Sequence, residues 1–184
     1  MLLARPALAS LQRQSQWLAL LLLAVSLHVF ETSIPSLGPW FKPGLANIVT
    51  LVCLALMGPR AALALALARV MVGSFFIGTM LTPTFMLSLS GAMAATLTML
   101  LAWRFLSGIS LIGVSLLGAL AHMLAQFVVV ESWFIQQASL YYLLPPLLLL
   151  SCACGWLNGA VAQYIVGRGC SMSSGSISAG ATHA

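Results

Sequence analysis

The chain has 184 residues, of which 61% are apolar and only 5% are charged. Soluble domains carry roughly a quarter charged residues, and a mean hydropathy of +1.09 leaves too few polar groups to cover a water-exposed surface. The composition therefore predicts an integral membrane protein. The net charge of +5 comes from single, scattered basic residues that form no basic face, which excludes nucleic acid as a partner.

Six apolar stretches are separated by proline, glycine and charged residues, and they predict membrane-spanning helices over 17–30, 44–57, 60–77, 85–103, 110–130 and 140–166. Lipid offers no partner to exposed backbone groups, so the spans must be helical. The second stretch is short of the about 20 residues that cross a bilayer, so we expect it to be tilted or packed inside the bundle. Pro145 and Pro146 predict a bent or late-starting sixth helix. The predicted fold class is an all-α bundle of six transmembrane helices.

Arginines determine the predicted orientation of this bundle. Five of them fall on one side of the six spans: Arg5, Arg13, Arg60, Arg104 and Arg168. The positive-inside rule places that side in the cytoplasm, so both termini are predicted to lie inside. The opposite side holds Glu31, Lys42 and Glu131.

The predicted domain organisation has three parts. A cytoplasmic segment, 1–16, precedes the transmembrane domain, 17–167, and a disordered cytoplasmic tail rich in serine and glycine follows over 168–184. The first span imitates a signal peptide, but no small-x-small cleavage site follows it. We therefore interpret it as a retained anchor.

Polar residues inside the spans identify a candidate site. Arg69 lies nine residues beyond Arg60, about 13 Å deep along a helix, so its side chain is expected to face the bundle interior. His122 and Gln126 are four residues apart and share one helical face. On the predicted topology, the candidate substrate-binding residues all map to the outer half: Glu31, Lys42, Asn47, Arg69, Ser88, Ser90, His122 and Gln126.

These residues predict a polar pocket open to the outside, roofed by the proline-rich loop 31–44. Two interpretations of Arg69 stay open, a cation that faces a ligand and a structural partner of Glu31 or of backbone carbonyls. His122 is either a ligand contact or an interhelical hydrogen-bond donor.

Catalysis is disfavoured by the shortage of carboxylates. The sequence contains no aspartate and only two glutamates, whereas Mg²⁺–diphosphate and nucleotide-hydrolysing sites need clustered carboxylates. No phosphate-binding loop motif and no catalytic triad is present, and the four cysteines lack metal-ligand spacing. We predict that the chain is not an enzyme and that it uses no catalytic residue, no metal and no cofactor.

The stretch 41–51, Phe-Lys-Pro-Gly-Leu-Ala-Asn-Ile-Val-Thr-Leu, resembles the signature of a bacterial membrane family described as Gx transporter or as heptaprenyl diphosphate synthase component I. The resemblance continues through 68–70, 87–92 and 112–119 to His122 and Gln126. The family pattern in the fifth span usually reads His-Asn-x-Gly-Gln, and here Met123 and Ala125 replace the asparagine and the glycine.

This family is similar to the S components of energy-coupling-factor (ECF) importers, six-helix bundles that capture a vitamin or metabolite from outside. The resemblance therefore implies a substrate-binding subunit in the bacterial inner membrane, with a small-molecule ligand, the lipid bilayer, and a coupling subunit with ATPases as partners. The synthase description implies the alternative, a non-catalytic membrane subunit associated with polyprenyl diphosphate synthesis or respiratory-cofactor maturation.

Overall fold

A computed structural model describes residues 4–33 and 44–180 of the chain. Within these ranges the chain forms six α-helices and a short 3-10 helix, and no β-strand. The α-helices are α1 (Ala4–Ser33), α2 (Leu45–Met57), α3 (Pro59–Ile77), α4 (Pro83–Phe105), α5 (Leu111–Trp133) and α6 (Leu144–Gly180), and the 3-10 helix (Ala138–Leu143) precedes α6.

The predicted helical membrane bundle is confirmed. Five of the described helices are long and apolar enough to cross a bilayer, whereas α2 has only 13 residues. α1 begins before the first predicted span and α6 continues beyond the sixth. The division into a cytoplasmic segment, a transmembrane domain and a tail stays a prediction.

Proline and glycine set several helix boundaries. Between α2 and α3, Gly58 adopts a positive φ of 89°, and Pro59 opens α3, where its missing N–H donor is not needed. α6 starts at Leu144, so Pro145 and Pro146 fall in its first turn and the helix starts late, as predicted. Ser110 caps α5, because its Oγ accepts a hydrogen bond from the Gly113 N–H at 3.2 Å.

The short helix α2 lies at the centre of the packing. It contacts α1, α3 and α6, while α3 packs on α4, α4 on α5, and α5 on α6. Leu51 and Leu54 of α2 are almost fully buried, as are Leu65 of α3 and Met99 of α4. The sequence predicts that this span is either tilted or packed inside the bundle, and in the structure it is packed inside.

Four arginines lie at one end of this antiparallel bundle, hereafter the arginine end: Arg13, Arg60, Arg104 and Arg168. Two hydrogen bonds hold α1 to its neighbours there. Arg13 Nη2 donates to the carbonyl of Met57 at 3.1 Å, and Trp17 Nε1 donates to the carbonyl of Ala61 at 3.2 Å. The arrangement at this end agrees with the predicted grouping of the basic residues.

Two glycines of α6 allow it to approach the backbone of α5 closely. A Cβ at Gly159 would lie 2.6 Å from Ile112 Cα, and one at Gly155 would lie 2.8 Å from Ala119 Cβ. Small residues at such contacts are typical of membrane helix pairs, because association there depends on close packing.

We expect Gly159→Ala to destabilise the protein by about 1–3 kcal/mol, because the added methyl group meets backbone that no rotamer change can move. Thermal unfolding of the purified protein in detergent measures the change as a lower Tm. Gly167→Ala in the same helix is the matched control, since its Cβ would meet nothing within 4 Å. Equal Tm values for the two variants would contradict the close α5–α6 contact.

Candidate functional site

A small cavity of about 20 Å³ lies inside the bundle and is bounded by residues of α1, α2, α3, α4 and α5 and by Gly44 before α2. This volume holds about one water molecule. The residues that line it are His28, Glu31, Gly44, Asn47, Arg69, Val70, Ser88, Ala92, His122 and Gln126. The seven polar side chains among them are hereafter the polar cluster: His28, Glu31, Asn47, Arg69, Ser88, His122 and Gln126.

Arg69 brings a positive charge into the interior of the bundle. Its side chain is only 3% exposed, and its Nη2 donates to Asn47 Oδ1 at 2.6 Å. Its Nε–H has no hydrogen-bond partner among the residues that the structure describes. A buried charge requires compensating partners, and Asn47 supplies one of them.

Glu31 supplies the opposite charge and an acceptor for the start of α2. The carboxylate is 4% exposed, and its Oε1 accepts a hydrogen bond from the backbone N–H of Leu45, the first residue of α2. A carboxylate at a helix N-terminus is also stabilised by the helix dipole. The charges of Glu31 and Arg69 interact electrostatically, and both side chains line the same cavity.

Gly44 and Asn158 complete the start of α2. Gly44 has a left-handed backbone, with φ of 72°, a conformation that glycine adopts without steric cost. Asn158 of α6 is buried and donates from Nδ2 to the Gly44 carbonyl at 3.2 Å. The N-terminus of α2 is therefore held by polar contacts from α1 and α6, inside the membrane-spanning bundle.

Two histidine rings fit against glycines of neighbouring helices. A Cβ at Gly73 of α3 would lie 2.5 Å from His28 Cδ2, and a Cβ at Gly91 of α4 would lie 2.7 Å from His122 Nε2. Both rings border the cavity, and a larger residue at either glycine would displace them. The two glycines therefore determine where the imidazole groups of the polar cluster sit.

Gln126 closes the cavity on the side of α4 and α5. Its Nε2 donates to the Leu87 carbonyl at 3.4 Å, and its side chain is 4% exposed. Its Oε1 has no hydrogen-bond partner within residues 4–33 and 44–180. Among the described residues, the Arg69 Nε–H donor and the Gln126 Oε1 acceptor are thus both buried without a hydrogen-bond partner.

The structure brings together six of the eight predicted site residues: Glu31, Asn47, Arg69, Ser88, His122 and Gln126. Ser90 does not line the cavity, and its Oγ donates instead to the Leu87 carbonyl at 3.1 Å. Lys42 and the loop predicted as a roof fall on 34–43, outside the described residues. A role of these residues in ligand binding stays a prediction.

His28 is a member of the cluster that the sequence interpretation missed. It precedes Glu31 by three residues, a spacing that places both side chains on one face of α1, and this spacing was the available signal. No group of three or more histidine, cysteine, aspartate or glutamate side chains in the described ranges is placed to hold a metal ion. The cluster offers hydrogen-bond donors and acceptors and one charged group of each sign, Arg69 and Glu31.

Comparison with known families adds a second line of information. The model of the family described as Heptaprenyl diphosphate synthase component I matches residues 20–165, which run from α1 into α6. No curated protein and no solved structure matches the chain. The match confirms the resemblance drawn from the sequence to this family.

We expect Glu31→Gln to lower the free energy of unfolding by about 3–5 kcal/mol, because it leaves the Arg69 charge buried without its opposite charge. Glu31→Gln/Arg69→Met removes both charges and is expected to recover most of that loss. Thermal unfolding in detergent compares these two variants and the single variant Arg69→Met with the wild type.

Glu131→Gln is the matched control for this pair, since Glu131 lies near the end of α5, outside the polar cluster. We expect it to leave the Tm unchanged. If the losses of Glu31→Gln and Arg69→Met simply add in the double variant, the two charges do not form a unit.

Proposed function

Because the chain belongs to the heptaprenyl diphosphate synthase component I family, we propose that it is a non-catalytic membrane subunit of polyprenyl diphosphate synthesis. The observation that carries this proposal is the extent of the family match, which covers nearly all of the helical bundle. A component of a synthase works beside a partner subunit, and we propose that the partner performs the prenyl transfer. The bilayer in question is proposed to be the bacterial inner membrane, with the arginine end in the cytoplasm.

The positions of the two glutamates support a non-catalytic role. Prenyl transfer activates an allylic diphosphate with Mg²⁺ held by several carboxylates, and this sequence has only Glu31 and Glu131. Glu31 accepts a hydrogen bond from the Leu45 N–H and lines the same cavity as Arg69, while Glu131 lies outside the polar cluster. These two carboxylates cannot supply a magnesium–diphosphate site together.

The proposal is tested by isolating the tagged chain from its own membrane at native expression level. We expect a prenyltransferase subunit with aspartate-rich motifs to co-purify, and the complex to elongate an allylic diphosphate that the isolated chain leaves unchanged. Mass spectrometry identifies the partner, and chromatography of the extracted products measures prenyl transfer.

Gln126→Leu provides a control, because the polar cluster is buried and a partner subunit binds the outside of the bundle. We expect this variant to retain the synthase partner. Recovery of a membrane coupling subunit and ATPases in place of a prenyltransferase would overturn the proposed function.

A second candidate function is the capture of a small metabolite, as in ECF S components. The observation that favours it is the pair of buried, unsatisfied atoms in the polar cluster, Arg69 Nε and Gln126 Oε1, within the described residues. A polar ligand that accepts from the guanidinium and donates to the amide would satisfy both. A cavity of about 20 Å³ must widen before it admits a metabolite, so this function requires helix movement.

Native mass spectrometry of the gently extracted protein tests this second candidate. We expect a retained small molecule that is present in the wild type and lost from Gln126→Leu. Gln136→Leu is the matched control, since Gln136 is exposed and lies outside the cluster. The same molecule retained by both variants would exclude the polar cluster as its binding site.

A further inference from the structure

A groove of about 730 Å³ lies at the arginine end, between the N-terminal part of α1 and the turn that joins α2 to α3. It is separate from the polar cluster and shares no residue with it. Its volume falls in the range of about 300–1,000 Å³ that is typical of small-molecule sites. The lining residues are Ser10, Arg13, Gln14, Trp17, Leu18, Met57, Pro59, Arg60 and Ala61.

The groove combines an apolar wall with two guanidinium groups. Its apolar lining residues include Trp17, Leu18 and Met57, and Trp17 is fixed by its hydrogen bond to the Ala61 carbonyl. Arg13 and Arg60 are both exposed and both line the groove. Arg13 is anchored through Nη2 to the Met57 carbonyl, so one positive charge is held at the end of α2.

The chain itself offers these arginines no acidic side chain in the groove. The sequence contains only two acidic residues, of which Glu31 belongs to the polar cluster and Glu131 lies near the opposite end of α5 from the arginine end. The groove also ends at the start of α3, where Gly58 provides no side-chain cap and the helix dipole favours negative charge. The groove is therefore complementary to an anion with an apolar extension.

We propose that this groove binds an isoprenoid diphosphate, with the diphosphate at Arg13 and Arg60 and the chain along Trp17, Leu18 and Met57. The identity of the anion rests on the proposed function, since a subunit of polyprenyl diphosphate synthesis works beside such lipids. Two guanidinium groups match a diphosphate, which carries two or more negative charges, better than the single charge of a phospholipid phosphodiester.

The family match does not supply this site. Arg13 and Trp17 precede the matched residues 20–165, so half of the groove is built by a segment outside the family model. The groove is thus a property of this chain's own α1 and of its packing against the α2–α3 turn.

The test uses the full chain in nanodiscs of phosphatidylcholine, with radiolabelled geranylgeranyl diphosphate as the probe. We expect saturable binding that unlabelled geranylgeranyl diphosphate displaces, while geranylgeraniol, inorganic diphosphate and phosphatidylglycerol displace it poorly. Geranylgeraniol measures the contribution of the isoprenoid chain to binding, and inorganic diphosphate measures the contribution of the charged group. Displacement by phosphatidylglycerol as effective as that by the unlabelled probe would mean a general anionic-lipid site and would overturn the proposal.

Arg60→Gln is the decisive variant, because Arg60 is exposed and its loss leaves the Arg13 and Trp17 hydrogen bonds in place. Loss of one charge-assisted contact is expected to raise the Kd about tenfold or more. Arg104→Gln is the matched control, since Arg104 is also an exposed arginine of the same end but does not line the groove. An unchanged Kd for Arg60→Gln would overturn the proposal.

A photoreactive isoprenoid diphosphate locates the site independently of affinity. Cross-linking is expected within 10–18 or 57–61, and cross-linking confined to other segments would contradict the assignment. If the probe does not bind, a prenyltransferase that co-purifies from the native membrane would still support the proposed function. If the probe binds but no prenyltransferase co-purifies from the native membrane, only the proposed function is contradicted.

Discussion

The burial of one positive and one negative charge inside an apolar bundle is the constraint on which the interior of this protein depends. Arg69 and Glu31 are each less than a twentieth exposed, and an isolated charge at that depth is strongly unfavourable. Part of their compensation comes from the start of α2, which offers the Leu45 N–H to the carboxylate and the Asn47 amide oxygen to the guanidinium. The position of α2 and the stabilisation of both buried charges therefore depend on each other.

The polar interior and the arginine end serve different physical purposes. The polar cluster is buried, leaves room for about one water molecule and is held by contacts between helices, so it stabilises one arrangement of the bundle. The groove at the arginine end is wide, mostly apolar and bordered by exposed cations, so it suits an amphiphile that arrives from the membrane. The family membership concerns the bundle as a whole, and the groove adds a segment that lies outside the matched range.

The sequence predicts the helical bundle well because hydropathy and proline placement are local signals. The depth of Arg69 along α3 was enough to place its side chain inside, since lipid penalises the alternative. Depth alone could not separate Ser88 from Ser90, because side chains two residues apart on a helix point about 160° away from one another. Ser88 lines the cavity while Ser90 bonds to its own helix.

The contacts that the sequence could not predict all depend on tertiary register. Asn158 meets Gly44 across 114 positions of sequence, and nothing local to either residue indicates the pairing. The contacts of His28 with Gly73 and of His122 with Gly91 are equally unpredictable from local sequence. Each ring occupies the space that a glycine of another helix leaves by having no side chain. Glu31 is predicted from the sequence as a binding residue or a partner of Arg69, and its bond to the Leu45 N–H could not be predicted without the position at which α2 begins.

The shortness of α2 has a consequence for how the protein is made. With 13 residues, the helix spans about 20 Å against a hydrocarbon thickness of about 30 Å, so it is a poor candidate for independent insertion. Two of its polar contacts come from parts of the chain that are synthesised later: Arg69 of α3 donates to Asn47, and Asn158 of α6 donates to the Gly44 carbonyl just before α2. A chain that ends before α6 therefore lacks the side-chain donor to the Gly44 carbonyl, and the polar start of α2 is left without one of its partners inside an apolar bundle.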